Sequence, residues 1–284
     1  MTLWEHALAT QLIFERILEL QRNGEESVLI TVVEKEGSGP AGPGARMLVL
    51  TDGQTVGTIG GGSLELVATR KALRLLETKG TLLERYTLSK QDRIVDAETP
   101  DMVCGGRVTL FYEVLSSGPR IYIFGGGHVG QALVYHLRHL PYHVTVIDPR
   151  PDIVPALRGA DRTVTAEYEK ALEDQTIPRG GYVVIATPSH EADYTILRHI
   201  FASDWEPRYV GLLASKRKSA TFIRNLKEEL GTGIDLSPLH TPAGLDIGGD
   251  SVHEIAISII AEIQALRYDR NQQASLRDSA CQAE

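Results

Sequence analysis

Cysteine is nearly absent: Cys104 and Cys281 are the two in a chain of 284 residues. That excludes a disulfide framework and a multi-cysteine zinc site. Basic residues are outnumbered as well. Twenty-nine Lys and Arg stand against 37 Asp and Glu, a net charge of −8, which disfavours a general binder of nucleic acid or of anionic membranes. No unbroken apolar run approaches the roughly 20 residues of a membrane span. The opening "MTLWEHALATQLIFERILEL" carries acidic residues inside its apolar pattern and no signal-peptide core. The expectation is a cytoplasmic protein with neither nucleic acid nor membrane as partner. What remains is ordinary globular composition, 42% hydrophobic and 23% charged, at a length that suffices for two domains with separate cores.

The pattern of the chain changes once. Trp4, Leu8, Leu12, Ile17 and Leu20 recur at helical spacing before Asn23-Gly24. "SVLITVVEKE" is β-branched and predicts a strand, and "RMLVL" and "QTVGTI" flank Thr51-Asp52-Gly53 as a hairpin. "SLELVATRKALRLLETKG" has helical period with Gly80 expected as its C-cap. "TLLERYTL" and "RVTLFYEVL" predict further strands. Residues 1–115 are therefore expected to form a small α+β domain. After the break Ser116-Ser117-Gly118-Pro119, strands and helices alternate: "RIYIF", a helix from His128, "HVTVID", "GYVVIA", a helix from Glu191, "PRYVGLL" and a helix from Lys216. Alternation of this kind predicts a Rossmann-like parallel-sheet domain over residues 119–268 and an α/β protein overall. Ser251-Val252-His253-Glu254 fits a capping box opening the last helix. Residues 269–284 read as a polar tail.

"YIFGGGHVGQALVYHLRHLPYHVTVIDPR" places Gly125, Gly127 and Gly130 in G-x-G-x-x-G register between a strand and a helix. The first glycine permits the tight turn, the second admits a pyrophosphate to the backbone, and the third lets helix and strand pack closely. The helix N-terminus adds N–H groups and a positive dipole end. Asp148 ends the next strand, 23 residues beyond Gly125, where an acid would accept hydrogen bonds from a ribose diol. Either a bound nucleotide or an empty scaffold is compatible with this pattern. Hydride transfer also needs a proton donor or acceptor at the strand ends. The candidates are His190, Asp193 and Lys216, although Asp193 serves equally as a first-turn acid that the helix dipole favours. Lys216-Arg217-Lys218 lies at a helix start, where the dipole is unfavourable to cations, so Ser215 and Lys216 are read as an anion site.

In the first domain, Gly60-Gly61-Gly62 leads directly into a helix, a second place where backbone N–H groups can surround an anion. Its plainer reading is hairpin punctuation. Met102-Val103-Cys104-Gly105-Gly106 sets the sulfur among glycines that would let a ligand approach. A lone cysteine is more often a small apolar core residue.

Taken in order, "GSGPAGPGARMLV…GTIGGGSLE", "MVCGG", "IFGGGHVG…VTVIDPRPD", "YVGLLASKRK" and "GLDIGGDSVHEIAISIIAEI" resemble the XdhC/CoxI family, accessory proteins of xanthine dehydrogenase and related molybdenum hydroxylases. The resemblance implies a chaperone that binds molybdenum cofactor (molybdopterin or its dinucleotide form), supports its sulfuration with a cysteine desulfurase, and inserts it into an apo molybdenum hydroxylase. It makes Cys104 the residue for catalysis or metal binding, through a thiolate soft enough for molybdenum or a sulfur in transit. Gly60–Gly62 and the Gly125–Gly130 turn would hold pterin phosphate or pyrophosphate. A homo-oligomer is expected. Two positions depart from the family pattern. Gly39-Pro40-Ala41 stands where members often carry Ser-x-Pro-Arg, and Ala214 stands where Gly commonly precedes Ser215. Against the chaperone stand an NAD(P)-dependent oxidoreductase and a nucleotide-binding regulatory protein.

Overall fold

A computed structural model describes residues 3–37, 41–88, 94–95, 106–116, 118–174, 177 and 180–270. The chain divides into two units, Met1–Ser117 and Gly118–Glu284, each with its own six-stranded sheet.

In the first unit α1 (Leu3–Arg22) precedes β1 (Ser27–Glu36), β2 (Arg46–Leu50) and β3 (Thr55–Gly57). There follow α2 (Gly62–Thr78), β4 (Thr81–Leu88), β5 (Ile94–Val95) and β6 (Arg107–Leu115). The strands pair antiparallel in the order β3-β2-β1-β6-β4-β5. Successive side chains of a strand point to opposite faces, and here each face receives a helix. Val28, Ile30, Met47 and Val49 meet Leu64, Ala68 and Ala72 of α2. Leu29, Leu48 and Leu50 meet Ile13, Ile17 and Leu20 of α1. Coverage on both sides is why β1 opens with four successive buried residues, Ser27 to Ile30. Each apolar side chain among them contributes on the order of 1.5–3 kcal/mol when fully buried. At the hairpin, Asp52 Oδ1 accepts from the Gln54 amide at 2.9 Å and Gly53 takes φ 85°. Helix α2 ends one residue earlier than its glycine suggests: Lys79 is the C-cap, with φ 57°.

The second unit runs β7 (Arg120–Phe124), α3 (His128–Leu137), β8 (His143–Ile147), a 3-10 turn at Pro151–Leu157, β9 (Arg162–Val164) and α4 (Tyr168–Asp174). It continues with β10 (Tyr182–Ile185), α5 (His190–Ala202), β11 (Tyr209–Leu212), α6 (Lys216–Leu230), β12 (Leu239–His240) and α7 (Val252–Arg267). All pairings are parallel, in the order β12-β11-β10-β7-β8-β9. Counted from the start of the unit this is the doubly wound arrangement of Rossmann domains. Ile121, Ile123, Val144 and Val146 pack under α3 and α7. Tyr122, Phe124, Val183 and Ile185 pack under α4, α5 and α6. Ser251 and Glu254 form the expected capping box.

Helix α7 is pinned to the sheet by a buried acid. Glu262 accepts from the Tyr209 hydroxyl at 2.7 Å, the Gly244 amide at 2.9 Å and His240 Nδ1 at 3.0 Å. Burial alone would raise its carboxyl, but the bonds from His240, Tyr209 and Gly244 outweigh that and hold it below the usual range. Among the described residues no helix is long and apolar enough to cross a membrane.

Candidate functional site

Strand order reverses between β7 and β10, so the chain leaves those strands toward opposite edges and a crevice opens beyond their carboxyl ends. Its volume is about 430 Å³. Gly127, His128 and Gln131 from the start of α3 form one wall, and Arg150 and Ile153 beyond β8 form another. Ala186 and Thr187 beyond β10, with Leu213 beyond β11, close the floor.

The glycines of the turn have separate tasks. Gly125 takes φ 108°, and a Cβ there would lie 2.3 Å from the Ala186 carbonyl oxygen. A Cβ at Gly130 would lie 2.1 Å from the Gly125 carbonyl oxygen, so this glycine sets how closely α3 packs on β7. Gly126, which lies outside the G-x-G-x-x-G register, is crowded by Ile153 at 2.4 Å. Gly127 differs from all three. Its φ of −67° suits any residue, and a Cβ added there meets nothing within 4 Å. The fold does not require glycine at 127, whereas a ligand approaching the backbone does.

Asp148 occupies the expected strand end but faces inward, with 1% of its surface exposed. Its Oδ2 accepts from the Gly126 amide at 2.8 Å and from Arg150 Nη2 at 2.8 Å. Its Oδ1 accepts from the Arg150 amide at 3.0 Å and Arg150 Nε at 2.9 Å. Burial alone would raise this carboxyl. The guanidinium, with the Arg150 and Gly126 amides, overrides burial and keeps it ionised below the usual carboxylate range. The Arg150 guanidinium is correspondingly raised by its bonds to Asp148. Arg150, not Asp148, reaches the crevice wall.

The floor is fixed by a second buried acid. Asp193 accepts from the Thr187 hydroxyl at 2.6 Å and the Thr187 amide at 3.2 Å, and pairs with Lys218 Nζ at 2.8 Å. Its work is therefore more than that of a first-turn acid on α5. Nearby, the Tyr168 hydroxyl is buried without a hydrogen-bond partner among the described residues; burial raises its pKa first, and the charge of Asp148 adds to the effect.

The remaining expected residues are placed differently. At Gly60–Gly62 an internal carboxylate occupies the cradle: Glu65 Oε1 accepts from the amides of Ile59 at 3.0 Å and Gly61 at 2.8 Å, and from the Thr58 hydroxyl at 2.5 Å. The Gly60 amide donates to Thr58 Oγ1 at 3.0 Å. Of the three glycines read from the sequence as an anion site, Gly60 and Gly61 thus have their amides engaged within the protein. Ser215 caps α6, accepting from the Lys218 amide at 3.3 Å. Lys216 is exposed and, like Ser215, is not among the residues lining the crevice. His190 is exposed at the start of α5; the histidine that lines the crevice is His128. Cys104 and Cys281 lie outside the described residues. Among the described residues no cluster of three or more His, Cys, Asp or Glu could hold a metal ion.

Comparison with known proteins follows this division of the chain. The signature of the XdhC Rossmann domain matches residues 121–263, and that of the XdhC and CoxI family matches residues 20–87. A protein of Escherichia coli K12 named YqeB, described as uncharacterized, is 32% identical over 256 residues, 88% of this chain and 45% of its own length. A Bacillus subtilis 168 protein, named as a probable xanthine dehydrogenase subunit, is 30% identical over 54% of this chain and 44% of its own. The chain thus spans less than half the length of these two relatives. The molybdenum cofactor insertion chaperone PaoD of Escherichia coli K12 is 22% identical over 93% of this chain and 90% of its own. A crystal structure titled xanthine dehydrogenase, from Bacillus halodurans, aligns with a TM-score of 0.49 at 22% identity, over 92% of this chain and 97% of that one. With both units matched in chain order, and a doubly wound sheet beneath the second match, the chain belongs to the XdhC and CoxI family.

Proposed function

We propose that this protein is a maturation factor for a molybdenum hydroxylase. It binds molybdenum cofactor as cargo, supports its sulfuration with a cysteine desulfurase, and passes it to the apo-hydroxylase. The observation that carries this reading is the crevice wall of a family member. An approachable backbone at Gly127 and the guanidinium of Arg150 converge there, and the described lining residues include no carboxylate. Such a wall suits the phosphate or pyrophosphate end of a pterin cofactor, because backbone amides at a helix N-terminus and a planar fork both favour phosphate oxygens. The Gly60–Gly62 loop suits phosphate less well, since Glu65 already accepts from its neighbouring amides. Cys104 is the thiol proposed to meet the molybdenum or its sulfur. The relative named an insertion chaperone supports the same reading, as it matches nearly end to end.

The test is retention of molybdopterin by the full chain through gel filtration, with molybdenum and pterin each assayed, followed by activation of an apo-hydroxylase. We expect stoichiometric retention and activation above the rate with cofactor alone. Retention no better than by an unrelated Rossmann protein, together with no activation, would overturn the proposal.

One observation favours a second reading, an NAD(P)-dependent oxidoreductase. His128 lines the crevice, within reach of a bound ligand. Steady NAD(P)H turnover on small carbonyl compounds, lost on His128→Ala, would establish that reading in place of the first.

A further inference from the structure

Strand-end acids of doubly wound nucleotide sites ordinarily hold a ribose diol. Here that role is closed. Both Asp148 oxygens are doubly occupied by Gly126 and Arg150, which uses up the acceptor capacity of a carboxylate. Arg150 stands in front of it, its side chain 44% exposed against 1% for Asp148. Only Nε and Nη2 of the guanidinium are committed to the acid. The rest of the fork is left for the crevice that Arg150 lines together with Gly127, Gln131 and Thr187. The pair is thus an anchored cation: the buried carboxylate orients the guanidinium, and the guanidinium presents its remaining N–H donors outward. A planar cation held in this way matches two oxygens of one phosphate. A diol can accept from the guanidinium but finds no free carboxylate to donate to, so it gains less there than a phosphate does.

We infer that the crevice selects ligands carrying a phosphate monoester at the position of the ribose diol, with Arg150 as the specificity-determining residue and Asp148 as its positioning residue. The inference rests on reading the crevice as a site for an anionic cofactor. The monoester belongs either to the terminal phosphate of a pterin or to the 2′-phosphate of an adenine nucleotide, and the arms of the test separate these.

The experiment titrates the full chain calorimetrically with 2′,5′-ADP and 5′-AMP, and separately with molybdopterin. It is then repeated on Arg150→Gln and Arg150→Lys. In the adenine arm, 2′,5′-ADP should bind at least tenfold tighter than 5′-AMP. Arg150→Gln should abolish or reverse that order, because the Asp148 oxygens become available to a diol. Arg150→Lys keeps the charge without the fork and should fall between. It also serves where the glutamine variant fails to fold, as judged by its unfolding transition. In the pterin arm, molybdopterin should bind and lose at least tenfold in affinity on Arg150→Gln, whether or not the adenine probes bind. Measurable and equal binding of the two adenine probes, or any monoester binding indifferent to both substitutions, would overturn the inference. Failure of every probe to bind would overturn it too. Molybdopterin retained equally by all variants would leave the maturation role standing and this inference refuted. Arginine-dependent binding of 2′,5′-ADP without molybdopterin binding would do the reverse.

Discussion

Substitution at two glycines three residues apart should separate ligand binding from folding. At Gly130 an added methyl would lie 2.1 Å from the Gly125 carbonyl oxygen and 3.1 Å from its carbon. Both are backbone atoms at the crossing of α3 and β7, so helix or turn must move. Overpacking of this kind costs about 1–3 kcal/mol and sometimes more. At Gly127 the same methyl meets nothing within 4 Å and the backbone is in an ordinary region. Losing chain entropy from the unfolded state should stabilise Gly127→Ala by about 0.4–1 kcal/mol. Alanine is a poorer N-cap than glycine, by about 0.5–1 kcal/mol, so the two effects nearly cancel. The expected result is a Gly127→Ala protein within about 0.5 kcal/mol of the parent in urea unfolding and at least tenfold weaker for molybdopterin, or about 1.4 kcal/mol of binding energy. Gly130→Ala should instead unfold earlier, whatever its affinity. If Gly127→Ala bound as the parent does, no ligand would approach that backbone and the crevice assignment would be wrong. If it unfolded as early as Gly130→Ala, the structural argument for position 127 would fail.

Other outcomes follow from residues already placed. Glu262→Ala strands the Tyr209 hydroxyl and the Gly244 amide, and should cost about 3–5 kcal/mol in urea unfolding, with Glu262→Gln costing less than half as much; equal losses would refute the hydrogen-bond account. Asp148 and Glu262 both sit below their usual carboxyl range in the folded state. Their stabilisation is therefore present above the ordinary carboxyl pKa, near 4, and is lost as pH falls through the lower folded values. Chemical denaturation across pH should show that loss below about pH 4, whereas a fall centred near pH 6 would implicate histidine instead. Cys104→Ser should lower cofactor retention or activation of the partner hydroxylase with folding intact, and Cys281→Ser should not; the opposite result would remove Cys104 from the site.

Much of the second unit is visible in the sequence because its signals are local. Phe124 to Gly130 carries the strand, turn and helix start in one stretch, and the Ser251–Glu254 box spans a single turn. Four short elements give no sequence signal for a physical reason: Pro151–Leu157, Arg162–Val164, Tyr168–Asp174 and Leu239–His240 are too brief to show a period. At the site, the identities of the glycines were legible and the partners of the charged groups were not. That Asp148 would be taken by Arg150 depends on a side chain folding back over a strand end, which no spacing rule encodes. Which cation of Lys216-Arg217-Lys218 turns inward depends on the buried face of α6, set by Ser219, Phe222 and Leu226. For the Gly60–Gly62 loop, glycines announce accessible amides but not what accepts from them, and the first turns of α2 bring Glu65 to the Ile59 and Gly61 amides. Gln131 and His128 carried no signal beyond their position after the glycine turn.

The order of strands in the second unit also governs when the crevice can first exist during folding. Strand β7 finds β8 across a single short helix, a local pairing. Its other neighbour is β10, which arrives only after β9 and α4 have been laid down, and the floor residues Ala186 and Thr187 arrive with it. Pairings between distant segments form late because the chain entropy of closing the intervening loop is lost before the contact is made. Competence to bind should therefore lag the appearance of helix and strand in refolding, measured as ligand fluorescence against far-ultraviolet dichroism in the same stopped-flow run. A ligand present from the outset would slow unfolding without speeding that first phase, and simultaneous phases would show that β7 and β10 meet early.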